Sequence, residues 1–107
     1  MNYSLHREAE AELYESAQYY ENEKKNLGVE LLEEVDRTLE RIIENPRQFP
    51  RISRNLRRAL VNRFQYGLIF SDDDDRVFVV AVMHLSRRPG YWNGYSIHTR
   101  RDAVGSD

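Results

Sequence analysis

The spacing of apolar positions changes several times along the chain, and each change marks an element. Asn2 to Leu5 alternates and predicts a short first strand, with His6 leading into the next element. From Arg7 to about Lys25 the chain is rich in Glu and Ala, and Ala9, Leu13, Ala17 and Tyr20 recur at helical spacing, so an amphipathic helix is expected. Asn26 to Gly28 interrupts it. A second helix places Leu32, Val35, Leu39 and Ile42 on one stripe, with Glu33 and Arg37 as an exposed i,i+4 pair. It should stop before Pro46, because the residue preceding a proline disfavours helical geometry. So short a connection makes the two helices an antiparallel hairpin.

Asn45 to Asn55 is punctuated by Pro46 and Pro50 and reads as a loop. Leu56 to Phe64 alternates, with Leu56, Arg58, Leu60, Asn62 and Phe64 on one face and Arg57, Ala59, Val61 and Arg63 on the other. Neither face is cleanly apolar, which suits an edge strand whose arginines point at solvent or a partner. Tyr66 to Ser71 is a third strand, and Asp72 to Asp75 turn the chain into a fourth from Arg76 to about Leu85. The run VFVVAVM is apolar on both faces, so this strand belongs in the centre of the sheet with the helices over one face. The expected fold is α+β, in the order β-α-α-β-β-β, with a helical hairpin packed on one face of a small, mainly antiparallel sheet. One domain spans residues 1–92. The tail 93–107 has little hydrophobic pattern and is expected to be mobile, at least past Arg101.

Composition adds a charge asymmetry that the net value of -2 conceals. Residues 1–45 are strongly acidic, whereas residues 46–71 hold six arginines and no acid. Arginine in this excess favours planar, bidentate contacts with carboxylate or phosphate. The acidic first half argues against a protein that coats nucleic acid. With no cysteine there is neither a disulfide framework nor a thiolate metal site, and no apolar run is long enough to span a bilayer, so a cytoplasmic protein is expected.

The fourth strand runs directly into a cationic and aromatic cluster: His84, Arg87, Arg88, Tyr91 and Trp92. A rigid strand that ends in such side chains is a usual way to build a binding site. Plainer readings stand beside this one. Arg57, Arg58 and Arg63 could pair with helix glutamates, His84 could be a hydrogen-bonded structural histidine, and Trp92 could pin the segment after the strand onto the helices. Tyr14, Tyr19 and Tyr20 have the spacing of packing residues. The four successive aspartates lack the spaced ligands of a calcium loop and read as a solvated turn. His6 and His98 are too isolated to propose as metal ligands, and no metal or other cofactor is expected.

The element order, together with RRALVNRFQYGLIF and AVMHLSRRPGYW, resembles the RelE/ParE superfamily of bacterial type II toxins over roughly residues 2–92. It looks most like the ParE branch, whose members are often labelled plasmid stabilisation proteins. The resemblance implies a partner, a small antitoxin whose C-terminal segment wraps the toxin, and a higher-order toxin–antitoxin complex is compatible with it. It also implies one of two targets. RelE-like members cut mRNA on the ribosome with basic residues on the second and third strands and an Arg and a Tyr beyond the fourth, which here would be Arg58, Arg87 and Tyr91, with His84 as the nearby titratable group. ParE-like members inhibit DNA gyrase without nuclease chemistry. This chain has Leu60 after Arg58, and Gly67 where the resemblance leads one to expect an arginine, so the gyrase reading is favoured and no catalytic residue is assigned. Target or antitoxin contacts are then expected from Arg57, Arg58, Arg63, Arg87, Arg88, Tyr91 and Trp92. A third reading is a module that binds antitoxin without being toxic. Direct contact with nucleic acid stays open.

Overall fold

In the computed structural model, which describes residues 2–73, 76–88 and 90–94, the chain runs β1 (Asn2–Leu5), α1 (Arg7–Glu23), α2 (Leu27–Glu44), β2 (Arg57–Leu60), β3 (Tyr66–Ser71) and β4 (Arg76–His84). Short 3₁₀ turns lie at Pro46–Gln48 and Tyr91–Gly94. The sheet order is β1-β4-β3-β2, with β1 parallel to β4 and the other pairs antiparallel. The expected architecture is therefore present, and β4 is central. The tail from residue 95, as well as Asp74, Asp75 and Pro89, lies outside the described residues.

Each helix begins for a local reason. At the start of α1, His6 Nδ1 accepts a hydrogen bond from the Glu8 N–H at 3.0 Å, satisfying one of the free donors of the first turn. Asn26 takes a left-handed conformation (φ 73°) before α2, and the Glu21 carboxylate accepts the N–H groups of Asn26 (2.8 Å) and Gly28 (3.0 Å). The bond from Asn26 is the main reason that Glu21 ionises below the ordinary carboxylate range. Gly28 sits where the helices touch, and a Cβ there would drive into the Ala17 carbonyl oxygen. The tight hairpin needs that glycine.

The buried stripe of α2 is Leu31, Val35, Leu39 and Ile42, with Leu32 only partly covered. Arg37 pairs with Glu34 at 2.7 Å rather than with Glu33. Glu34 is nearly buried, and pairing with a carboxylate drawn out of solvent is worth more to arginine than pairing with one that water already solvates. Helix residues Ala9, Leu13, Ala17, Leu31, Val35 and Ile42 pack on Ala59, Leu68, Phe70, Val77, Val79 and Val82 to form the main core.

The opposite face of the sheet carries a second cluster of Ile69, Val80, Ala81, Met83 and Trp92, flanked by Ile52 and Leu56 from the proline-rich loop. A bulge explains how β4 serves both. Ile69 pairs with Ala81 but Phe70 pairs with Val79, leaving Val80 as the extra residue. The alternation therefore changes phase, so that Val79 and Val82 both face the helices while Val80 and Ala81 both face away.

β2 is shorter than the alternating sequence implies. It ends at Leu60, and Asn62 to Gln65 form a turn in which Arg63 is left-handed (φ 71°). Phe64 consequently returns to the helix side and packs on the main core, with its ring 5.4 Å from that of Tyr20.

Candidate recognition surface

Of the arginines in the acid-free stretch, Arg57, Arg58 and Arg63, expected among the contacts, separate into two groups. Arg57 is only 9% exposed: its guanidinium donates to the Phe49 carbonyl at 2.7 Å and lies 3.4 Å from Asp72. It faces inward because Arg57 and Ala59 form the core side of β2, which Val61 continues just beyond the strand, contrary to its expected place among the contacts. Arg63 bonds Glu30 at 3.0 Å and stands 3.9 Å from Glu34, tying the β2–β3 turn to α2. Arg63 thus follows the plainer reading and pairs with helix glutamates, whereas Arg57 pairs within the protein with the Phe49 carbonyl and Asp72.

Arg58 differs. It projects from the helix-free side of β2, and its stem lies across Gly67, with Cγ 3.2 Å and Cδ 3.4 Å from where a Cβ would stand. Gly67 thus makes the bed in which Arg58 rests. Leu85 reaches the same spot (3.5 Å), and Leu60 is the cross-strand partner of Gly67. Leu60 is 51% exposed and Leu85 37%, so Arg58 sits in an apolar, open setting. Its Nε is buried with no hydrogen-bond partner among the described residues. A cation bedded among exposed leucines suits a partner offering a carboxylate beside apolar groups.

The second cation belongs to the turn after β4. His84 Nδ1 accepts the Ser86 N–H at 3.1 Å and lies 2.7 Å from Ser86 Oγ, while the Arg87 N–H donates to the His84 carbonyl at 2.9 Å. An Nδ1 that accepts a backbone donor carries no proton, which puts the proton of the neutral ring on Nε2. The ring also packs edge-on against Tyr66 at 5.0 Å. His84 therefore shapes the turn that carries Arg87 back toward α1.

There Arg87 lies over the Tyr91 ring, 3.6 Å from its centroid, and 3.7 Å from a carboxylate oxygen of Glu12. Sequence spacing does not single out Glu12. Its other oxygen accepts the Val82 N–H at 2.8 Å, and the buried Tyr91 hydroxyl lies beside its carboxylate. Burial raises the pKa of Glu12 above the ordinary carboxylate range despite these three partners. Burial, with Glu12 as a second cause, pushes the Tyr91 phenol well above its usual value. Trp92, 5% exposed, packs edge-on to Tyr91 at 5.4 Å within the second cluster. It pins the segment to the sheet face away from the helices, not onto the helices as expected, and offers little surface to a partner. Arg88 is exposed and has no ion pair among the described residues.

An open groove of about 820 Å³ lies between α2 and β2; within it Glu34 pairs with Arg37 and Arg63, and Arg41 donates to the Leu60 carbonyl.

The comparisons with known proteins bear on the fold and the family. No curated protein sequence matches the chain significantly. Among solved structures, the chromosomal ParDE TA system from P. aeruginosa superposes with a TM-score of 0.70 at 12% sequence identity, covering 79% of this chain and 96% of that one. So low an identity supports the fold alone. The family model described as the ParE toxin of type II toxin-antitoxin system, parDE, matches residues 3–89, from β1 through Arg87 and Arg88. The chain belongs to the ParE toxin family of type II toxin–antitoxin systems.

Proposed function

We propose that this toxin arrests growth by binding DNA gyrase, is neutralised by a cognate ParD-like antitoxin, and works by recognition without chemistry of its own. The observation that carries the reading is that the groups able to move a proton, His84 and Tyr91, are committed within the protein and that Gly67 supplies no cation. Attack by a ribose 2′-OH needs a proton acceptor, cations at the phosphate and a donor for the leaving oxygen. Gly67 contributes no side chain, and Arg58 lies over it. His84 Nδ1 is occupied by Ser86, and the Tyr91 hydroxyl is buried beside Glu12 with its proton held more tightly than usual. Arg87 faces Glu12. Arg58 with Leu60 and Leu85, and Arg88 with the outer side of Arg87, remain as contacts for gyrase or for acidic and apolar antitoxin groups.

The antitoxin assignment draws on family membership and on the likeness to a ParDE TA system. The cytoplasm, where gyrase and its DNA are found, is the setting this reading requires. Purified toxin added to a gyrase supercoiling reaction should inhibit it, and added antitoxin should restore it. Unchanged supercoiling at large toxin excess would sink the gyrase target, and codon-phased cuts in translated mRNA would replace it with the ribonuclease reading.

A further inference from the structure

β1 is four residues long and β4 is nine, and their pairing ends at Leu5 opposite Val79. Beyond that point the side of β4 that β1 would cover has no strand partner among the described residues. The register places the Val82 backbone groups on this open edge, since Gly67 and Ile69 of β3 bond through Met83 and Ala81 on the other side. An unpaired, largely buried N–H on a central strand is costly, and Glu12 of α1 satisfies it at 2.8 Å. The same carboxylate meets Arg87 and Tyr91, which arrive from the opposite direction around that edge.

We infer that Glu12 is a positioning residue, a clamp on α1 that closes the open edge of β4 at Val82 and holds Arg87 and Tyr91 beside it. One side chain of α1 thereby meets three residues of the segment 82–91, at least 70 residues further along the chain. The guanidinium of Arg87 is fixed between the Glu12 carboxylate and the face of the Tyr91 ring, yet stays about half exposed, so it is presented to a partner in one orientation. Trp92 follows Tyr91 into the second cluster, so the clamp also seats the apolar end of the segment. Burial keeps Glu12 harder to ionise than a free carboxylate, which fits a group retained for placement more than for stability. The clamp stands on the geometry alone, whereas its use in recognition rests on the function proposed above.

Trp92 is the only tryptophan, so its fluorescence reports on the clamp in the intact chain. In Glu12→Ala, emission should shift to the red and acrylamide quenching should rise about twofold or more. Glu12→Gln, which keeps an acceptor for the Val82 N–H but loses the charge facing Arg87, should fall between Glu12→Ala and the wild type. Glu15→Gln, one turn further along α1, should not change. Far-UV circular dichroism and a cooperative melt establish that each variant is folded, and if Glu12→Ala is not, Glu12→Gln carries the test. A folded variant with unaltered Trp92 emission and quenching overturns the clamp whatever the toxin's target is. In cells, Glu12→Ala should weaken growth arrest as much as Arg87→Ala, and the double variant should be no weaker than either. Freed Trp92 with undiminished arrest would overturn the role in recognition and leave the clamp as architecture.

Discussion

The two faces of the sheet are built from the same strands and have different work. The helix-covered face is dry and continuous, with Leu31, Val35, Ile42, Leu68, Phe70 and Val79 all buried. The other is half covered, by Ile52, Leu56 and Trp92, and then gives way to Leu60, Leu85 and Arg58 in the open. Apolar area buried on the first face stabilises the fold at roughly 25 cal/mol per Å². Leucines exposed on the second gain nothing until something covers them, so under the proposed function the difference divides stability from recognition.

The largest expected effect breaks the covered face. Phe70→Ala removes a fully buried ring beneath the hairpin and should cost about 3–5 kcal/mol in chemical denaturation, whereas Leu60→Ala should stay within about 0.5 kcal/mol of the wild type. Equal losses at the two positions would erase the distinction. Gly28→Ala comes next, because its Cβ meets the Ala17 carbonyl and the helices must separate; a loss of about 1–3 kcal/mol is expected, measured as a lower denaturation midpoint at unchanged slope.

The two helix carboxylates should respond oppositely to pH. Glu12 has a raised folded pKa, so the stability it contributes is fully present below its unfolded value and is lost as pH rises through the folded value. Glu21 has a lowered folded pKa, so its contribution is present above the unfolded value and is lost as pH falls through the folded one. Between about pH 3 and 7, the stability advantage of wild type over Glu12→Gln should therefore shrink with rising pH, and that over Glu21→Gln should grow. Denaturant titrations across that range check both slopes, and slopes of the same sign would contradict the assigned environments.

The smallest effect belongs to Gly67→Ala. The added methyl meets only the flexible stem of Arg58 and the end of Leu85, so stability should change by less than about 1 kcal/mol while the Arg58 side chain is displaced. Weaker antitoxin binding at unaltered stability is the expected signature in calorimetry.

Much of the fold is legible in the sequence because period and burial coincide. Ala9, Leu13 and Ala17 mark the buried side of α1, and the doubly apolar VFVVAVM marks a strand covered on both faces. β2 misleads because arginine occurs on both its faces, and alternation alone does not say which face is the core. Only the fold shows that Ala59 and Val61 pack under the helices and carry Arg57 inward with them. Glu12 is hidden for a different reason. It is one acid among many on an acidic helix, and its role arises from β1 ending short of β4, a tertiary fact that helical spacing does not encode. The importance of the segment after β4 is readable, but its mode of anchoring is not: Trp92 turns to the helix-free face while Arg87 and Tyr91 reach α1.

The division between the two faces is tested most directly by growth on induced expression, without antitoxin, of the triple variant Arg58→Ala, Leu60→Ala, Leu85→Ala. Cells should grow although the protein accumulates and unfolds at a midpoint close to that of the wild type. Growth arrest as complete as that of the wild type would contradict the division and move recognition off the open face of the sheet.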